Sequence, residues 1–293
     1  MQIKKVSLDE LKPVEKFRLS FPLKGELYDQ LKGKLAPLPL IIVNHENEIV
    51  FGLDDYDFLK RQRSDGETQV DVIQADFSDK DALILNYNMK GKLTGLNLYE
   101  KLVFIQKILP LAEPAAIYRK TDLDIGINRE LTERLDMLLG EAFKELLIDG
   151  GVMLKYALAL CNFNPEDRTL LIELFRKVSF TASQQQKIVE MVEEILFRDK
   201  CTLAEIWEKL QINPGEWEME KPQKEIIDRL FKYRYPVYME AEETWQAEID
   251  RMRLPSNVNV THYPFFEKRG IDITIHAKDM GEFQKLMEKI TGN

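Results

Sequence analysis

The sequence has few cysteines and no long apolar run. Cys161 and Cys201 are its only cysteines and lie far apart in the chain, a spacing that indicates neither a zinc knuckle nor a redox dithiol. No stretch approaches the roughly 18 apolar residues of a membrane-spanning helix, and no apolar signal segment follows the first methionine. We therefore expect a cytoplasmic protein that has no membrane partner.

Histidines and the common catalytic motifs are also scarce. The chain has 3 histidines: His45 lies in a polar turn, and His262 and His276 lie on predicted strands. The sequence contains no Walker loop, no Gly-x-Gly-x-x-Gly motif and no Ser/His/Asp order. It gives no positive case for catalysis, so we predict no catalytic residue, no metal ligand and no cofactor.

Acidic residues outnumber basic residues, and they are unevenly spread. The formal net charge is −9 and the sequence pI is about 5.2, values that oppose indiscriminate approach to a polyanion such as DNA. Residues 181–250 hold nine Lys and Arg against sixteen Asp and Glu, a net charge of −7. The later helical part of the chain is therefore its acidic part.

Patterns along the chain predict an α+β protein of three parts. Residues 1–95 combine short apolar runs, turn-forming residues and one helix, which is typical of a small α+β domain. Residues 96–200 carry apolar side chains at three and four spacing, as in helices. Residues 201–293 begin with an acidic helical segment and end with an α-β-β-α unit, whose strands are predicted at 258–262 and 271–276.

The most informative stretch joins two short strands to a helix through a glycine. Residues 38–44 form an apolar strand, a polar turn follows, and residues 49–51 form a second strand before Gly52. Asp54 and Asp55 then occupy the first turn of the predicted helix, where carboxylates interact favourably with the helix dipole. The start of this helix is therefore negatively charged.

Four separated segments of the chain carry a resemblance to a known family, and they occur in the family's order. They are residues 38–59, 78–90, 96–102 and 135–189. The sequence resembles the ParB family of chromosome- and plasmid-partitioning proteins, in which a Gly-Glu-Arg-Arg turn, a Glu-Asn-x-x-Arg helix end and a Leu-Asn-Pro-x-Glu-Glu-Ala segment follow one another. The resemblance implies a ParB/sulfiredoxin-like N-terminal domain and a helical middle domain with a degenerate helix-turn-helix.

The resemblance also locates a nucleotide site. In ParB proteins the arginines of the glycine turn and of the later Asn-x-x-Arg converge on the triphosphate of CTP, because guanidinium groups match phosphate geometry. The corresponding residues here are Gly52, Asp54 and Asp55 at the turn and Lys90 at the second place. Exchanging cations for carboxylates makes the turn repel phosphate. We predict a degenerate site with weak or no direct CTP binding.

Two functions stay open on this scaffold. The first is non-catalytic: a ParB-like binding or scaffolding protein in a partition-like or regulatory bacterial system, with DNA or a DNA-associated protein as its partner. The alternative is a metal-dependent enzyme that acts on a nucleotide or transfers phosphate, since hard cations such as magnesium bind carboxylates. Sulfiredoxin and the free-serine kinases share the N-terminal fold, but this glycine turn lacks the Cys, His and Arg that theirs carry.

Residues 115–139 occupy the place of the family's helix-turn-helix, with Gly126 at the turn. The resemblance implies these possible DNA-binding residues: Asn128, Arg129, Thr132 and Arg134. Four basic and five acidic residues lie in the segment, although neutralisation of phosphates supplies most non-specific DNA affinity. We therefore expect weak or no DNA binding by this helix, and an ordinary packed helix pair is the alternative.

The C-terminal α-β-β-α unit is expected to mediate homodimer formation. Ile271, Ile273 and Ile275 alternate with polar residues, so one face of the ribbon is apolar, and a ribbon of two strands is marginal in water by itself. In the partition family this module pairs with a second copy about a two-fold axis. The competing account is a monomer, in which Phe265, Phe266 and the preceding helix pack the ribbon against the middle of the same chain.

Overall fold

The computed structural model describes residues 2–19, 40–62, 68–212 and 222–291. The fold is mixed α+β, as the sequence predicts. Contacts divide the chain into two compact units: the first extends from the N terminus to Val189, and the second comprises most of the chain from Glu190 onward. Residues 38 and 39, with which the first predicted strand begins, lie outside the described residues.

A five-stranded sheet organises the beginning of the first unit. The order across the sheet is β1-β5-β3-β4-β2. β1 and β5 pair antiparallel, as do β3 and β4, whereas β3 runs parallel to β5 and β2 runs parallel to β4. The strands are β1 (Gln2–Ser7), β2 (Lys12–Pro13), β3 (Ile41–Val43), β4 (Glu48–Phe51) and β5 (Gln69–Gln74).

The sequence pattern did not predict β1, nor the two-residue β2. Val6 is the only buried residue of β1 and Ile3 is 79% exposed, so the strand lacks the alternation that marks a half-buried strand. It lies at the edge of the sheet next to β5, where Lys4 and Lys5 discourage pairing with another chain. Backbone pairing, rather than apolar burial, places this strand.

The core of the sheet forms against the helix α1 (Leu53–Gln62), which follows β4. Alternate residues of the strands and the inner face of α1 are removed from water, and full burial of such a side chain contributes about 1.5–3 kcal/mol. The buried cluster consists of Val6, Leu8, Leu11, Ile41, Val43, Ile49, Leu53, Tyr56, Val70 and Val72. Leu53 and Tyr56 thereby fix the start of α1 on the sheet.

Helices make up the chain from β5 to the boundary between the two units. Four N-cap side chains, those of Ser78, Asn97, Asn128 and Asn164, accept a backbone N–H of the first turn, and such a cap contributes about 1 kcal/mol. The helices are α2 (Asp79–Leu93), α3 (Leu98–Ile108), α4 (Pro114–Lys120), α5 (Arg129–Leu138), α6 (Glu141–Ile148), α7 (Leu154–Leu160), α8 (Pro165–Lys177) and α9 (Ala182–Asp199).

The second unit combines helices with a two-stranded ribbon. β6 and β7 pair antiparallel, with Val258 opposite Ile275 and His262 opposite Ile271. Its elements after α9 are α10 (Leu203–Lys209), α11 (Pro222–Arg234), α12 (Pro236–Met252), β6 (Val258–His262), β7 (Ile271–Ile275) and α13 (Met280–Thr291).

The C-terminal part of this unit buries little apolar surface. α12 has no buried residue, and Leu286 is the only buried apolar side chain among the described residues that follow Leu230. Phe265 packs against the rings of Tyr235 and Tyr238, with centroids 5.6 and 4.9 Å apart. The large apolar side chains left exposed there are Val237, Met252, Tyr263, Phe265, Phe266, Ile271, Ile273, Met280 and Phe283.

Candidate functional site

A glycine with positive φ sets the turn into α1. Gly52 has a φ of 90°, a conformation that glycine adopts without steric cost. A Cβ atom on this residue would lie 2.2 Å from the carbonyl oxygen of Leu40. The close approach of two backbone segments therefore requires glycine at this position.

Arg18 lies against the acidic first turn of α1. Its guanidinium donates to Asp57 Oδ2 at 2.9 Å, to Glu15 Oε1 at 3.0 Å and to Asp54 Oδ1 at 3.5 Å. Only 10% of the Arg18 side chain is exposed. Burial acts to lower the pKa of Arg18, but the hydrogen bond and charge of Asp57 raise it above its usual value. The guanidinium is therefore a permanent cation at this turn.

Lys90 brings a second cation to the same turn from α2. Its Nζ lies 2.8 Å from Glu100 Oε1 and 3.9 Å from Asp54 Oδ2. Glu100 also caps α3, because its Oε2 accepts the backbone N–H of Asn97 at 3.1 Å. Asp54 thus faces both Arg18 and Lys90, and this set of ion pairs connects α1, α2 and α3.

The Asp55 carboxylate accepts a hydrogen bond from the backbone. Its Oδ2 accepts the N–H of Leu40 at 3.1 Å. Arg18 and Leu40 stand on opposite sides of the segment 20–39, which is outside the described residues. The first turn of α1 therefore holds one residue close to each end of that segment, Arg18 through Asp54 and Asp57, and Leu40 through Asp55.

Polar contacts from α2 and α3 fix the backbone that carries Arg18. Lys107 Nζ donates to the carbonyl oxygens of Glu15 and Arg18 at 2.7 and 2.6 Å, and burial lowers the pKa of this ammonium group. The buried side chain of Asn86 donates to the carbonyl oxygen of Phe17 at 2.7 Å. Side chains of the protein therefore hold the guanidinium in place.

Within the described residues, the turn has more carboxylates than cations. Its two cations there, Arg18 and Lys90, are paired with Glu15, Asp54, Asp57 and Glu100. An incoming phosphate would have to displace carboxylates from these cations and then lie beside them. Like charges in a partly desolvated site cost several kcal/mol. The arrangement is suited to joining helices and poorly suited to binding an anion.

The structure brings the four predicted turn residues together: Gly52, Asp54, Asp55 and Lys90. Sequence reasoning missed Arg18 and Glu100. Glu100 had a readable signal, because Asn97 followed three residues later by Glu100 is a capping-box pattern. Arg18 had none, since it is a single basic residue between Phe17 and Leu19, far along the chain from its partners in α1.

The helices at the predicted helix-turn-helix are α4 and α5. Asn128 is the N-cap of α5, since its Oδ1 accepts the N–H of Leu131 at 2.8 Å. The hydroxyl of Thr132 donates to the carbonyl oxygen of Arg129 at 2.9 Å. Both side chains therefore make hydrogen bonds within their own helix.

The two arginines of α5 differ in their surroundings. Arg134 donates to Glu130 at 2.8 Å and to the carbonyl oxygen of Leu158 at 2.9 Å, so it ties α5 to α7. The Arg129 side chain is 89% exposed and pairs with Glu133 at 2.6 Å. Of the four residues predicted to contact DNA, Arg129 is the one with a charged side chain that is largely exposed to solvent.

Some site types do not occur in the described ranges. No group of three or more His, Cys, Asp or Glu side chains there is placed to hold a metal ion. No helix in the same ranges combines the length and the apolar character that a bilayer span requires. Cys161 and Cys201 are both free thiols, and burial raises the pKa of Cys161.

Comparisons with known proteins give a structural likeness but no sequence relative. No protein-family model matches the sequence, and no curated protein matches it. The chain is similar to a solved Pnob8-like ParB-N domain, over 78% of this chain and 97% of that chain, at 18% sequence identity and a TM-score of 0.39. A likeness of this size carries no argument about function, which has to be inferred from the residues of this chain and their contacts.

Proposed function

We propose that this chain is a non-catalytic, ParB-like binding or scaffolding protein of a DNA-associated bacterial system, partition-like or regulatory. Its glycine turn keeps a scaffold suited to phosphate, but the charges are reversed: carboxylates stand at the turn and the cation comes from the chain itself. An internal ion-pair network thereby replaces the pairing of arginine with nucleotide phosphate. The turn then serves to join helices rather than to sense CTP.

One observation carries this proposal: the Arg18 guanidinium, 10% exposed, is paired with carboxylates of Glu15, Asp54 and Asp57. A magnesium-dependent enzyme is the alternative, and it would need the oxygens of Asp54 and Asp57 for the metal. Arg18 would have to leave first, and a guanidinium and a metal dication at one turn repel each other. The contacts therefore favour the scaffolding role.

The test is a titration of the full-length chain with CTP, ATP and ADP in EDTA, followed by backbone amide NMR. We expect the amides of residues 52–57 to show no saturable shift below millimolar nucleotide, because the carboxylates repel phosphate. Saturation of these amides at micromolar CTP in EDTA would contradict the proposal. Saturation only after magnesium is added would support the enzyme instead.

DNA affinity provides a second test. At physiological salt we expect duplex binding weaker than about 10 µM, within the range of non-specific contacts, because acidic residues outnumber basic ones around α5. Arg129→Ala should abolish what binding remains, whereas Lys187→Ala, which removes an exposed charge from α9, should not. Fluorescence anisotropy with labelled duplex measures both. Tight binding that survives Arg129→Ala would show that α5 is not the contact helix.

Arg134 needs a different readout. Since it ties α5 to α7 through the carbonyl oxygen of Leu158, we expect Arg134→Ala to lower the melting temperature of the chain. A loss of DNA binding in this variant would therefore report lost structure, and only Arg129→Ala tests contact with DNA.

The proposed scaffold also self-associates through its C-terminal unit. The ribbon of β6 and β7 has an apolar face, and Ile271 and Ile273 on that face are 52% and 54% exposed. A second copy of the chain would cover them, as in a two-fold dimer. A scaffold that pairs in this way presents two copies of its first unit to a partner.

A further inference from the structure

The second unit contains an open surface cavity of about 650 Å³ that none of the sites above uses. It lies where α9, α10 and α11 end and α12 begins, and its volume is within the range of small-molecule sites. Four cations line it, Arg198, Lys209, Arg229 and Lys232, against one anion, Asp199. This basic lining is set in the most acidic part of the sequence, residues 181–250 with a net charge of −7.

The two arginines at the cavity bind backbone carbonyl oxygens at the ends of helices. Arg198 donates to the carbonyl oxygens of Tyr233 and Arg234 at the end of α11, at 3.3 and 2.7 Å. Arg229 donates to the carbonyl oxygens of Leu210 and Gln211, just after α10, at 2.8 and 3.0 Å. Cations at helix C-termini satisfy the last carbonyls and offset the helix dipole. Arg198 also pairs with Asp199 and Arg229 with Glu225, so both arginines already have partners within the chain.

The two lysines are exposed to solvent and make no ion pair within the described residues. Lys209 reaches the hydroxyl of Tyr233 at 3.4 Å and lies 5.9 Å from the centre of its ring, but no carboxylate of the described residues lies within ion-pair distance of it. Lys232 has neither an ion pair nor a hydrogen bond from its side chain within the same residues. Two ammonium groups are thus left without carboxylate partners at one cavity.

We propose that this cavity binds a small phosphate-bearing ligand through Lys209 and Lys232. Ammonium groups bind phosphate as point charges, and neither lysine would have to give up a carboxylate to do so. The ring of Tyr233 is flanked by Lys209 and by Arg198, whose Cζ lies 5.7 Å from the ring centre. Because these cations occupy the ring, recognition rests on the phosphate groups rather than on stacking of a base.

The test uses inorganic tripolyphosphate and ATP as probes, titrated separately into the full-length chain by calorimetry at constant ionic strength. We expect one saturable site per chain at micromolar tripolyphosphate. Lys209→Gln with Lys232→Gln should weaken it at least about tenfold, since each charge-assisted hydrogen bond is worth a factor of this order. Lys187→Gln, which also removes an exposed lysine charge from this acidic chain, is the matched control and should bind as the wild type does.

The titrations distinguish a phosphate site from a nucleotide site and from no site. Equal affinity for both probes would identify the phosphate chain as the recognised group, and tighter binding of ATP would identify a nucleotide; both support the site. No saturable heat up to millimolar probe would overturn the proposal. So would a site whose affinity the double lysine substitution leaves unchanged, or one that Lys187→Gln weakens equally. Circular dichroism of each variant confirms that the chain is folded before the titration is interpreted.

Discussion

A chain carrying Ile271→Lys and Ile273→Lys is expected to sediment as a monomer of 34.3 kDa at tens of micromolar, where the wild type is expected to be a dimer. Both isoleucines lie on β7 and are about half exposed. In the proposed dimer a second copy covers them, so each substitution would place a charge in an interface. A buried unpaired charge costs several kcal/mol, enough to separate the subunits.

The pairing of the ribbon explains why this face is available. Val260 stands opposite Ile273, and His262 stands opposite Ile271, so these residues share one face. His262 is covered by α12, since its Nε2 lies 2.8 Å from Glu242 and its ring lies edge-on to Trp245. α12 does not cover Ile271 and Ile273 on β7, and both side chains stay exposed. A two-stranded ribbon with half of its apolar face open needs a further partner to be stable.

The opposite face of the ribbon supplies the control. Asn259→Lys with Thr261→Lys adds the same charge to β6 on the polar face, and this variant should stay dimeric. A chain that ends at Leu254 should be monomeric because it lacks both strands and α13. A monomeric wild type at tens of micromolar, or a dimer that survives the truncation, would contradict this interface and favour the monomer.

The C-terminal aromatic residues make contacts within the second unit. The sequence left open whether Phe265 and Phe266 pack the ribbon against the middle of the chain. Within the second unit, Phe265 contacts Tyr238 of α12 and Phe266 stacks on His262 at 3.8 Å. These rings therefore join α12 to the ribbon locally, and they leave Ile271 and Ile273 uncovered.

Local signals in the sequence predicted much of the fold, because caps and periodicity act within a few residues. Ser78 is a residue type that favours the N-cap position, and its hydroxyl accepts the N–H of Asp81 at 3.2 Å where α2 begins. Asn128 opens α5 in the same way. β1 was missed because its register depends on a strand distant in sequence, and its residues carry no alternation that would have marked it.

The sequence predicted two carboxylates of the candidate site and one of its cations, Lys90, but not Arg18. Gly52, Asp54 and Asp55 are close together in the chain, so their joint presence at a helix start could be read directly. Arg18 reaches them only through the folded sheet, and its role follows from three-dimensional contact rather than from spacing. The sequence therefore predicted a reversed charge at the turn, but not the pairing of Arg18 with it.

Replacing Arg18 with methionine is expected to lower the free energy of unfolding by about 2–4 kcal/mol. The substitution keeps a long side chain but leaves the carboxylates of Asp54 and Asp57 facing each other without the guanidinium. Breaking a buried ion pair on one side costs about 3–5 kcal/mol, and the partial exposure of the two aspartates, 29% and 26%, reduces that figure. Calorimetry should show a melting temperature lower by about 5–10 °C.

A double-mutant cycle separates the ion pair from lost packing. Arg18→Met and Asp57→Asn should together destabilise the chain by less than the sum of the single changes, with a coupling of about 1–3 kcal/mol, because Asp57 makes the 2.9 Å contact. The matched control is the exposed pair of Arg129 and Glu133, for which a coupling below about 0.5 kcal/mol is expected. A coupling energy in the Arg18 cycle no larger than that of the control pair would contradict this prediction. The Arg18 side chain would then stabilise the turn by packing alone and not by its charge. A coupling of the expected size, with no nucleotide shift at residues 52–57, would instead mean that the protein itself supplies the charge that holds this turn together.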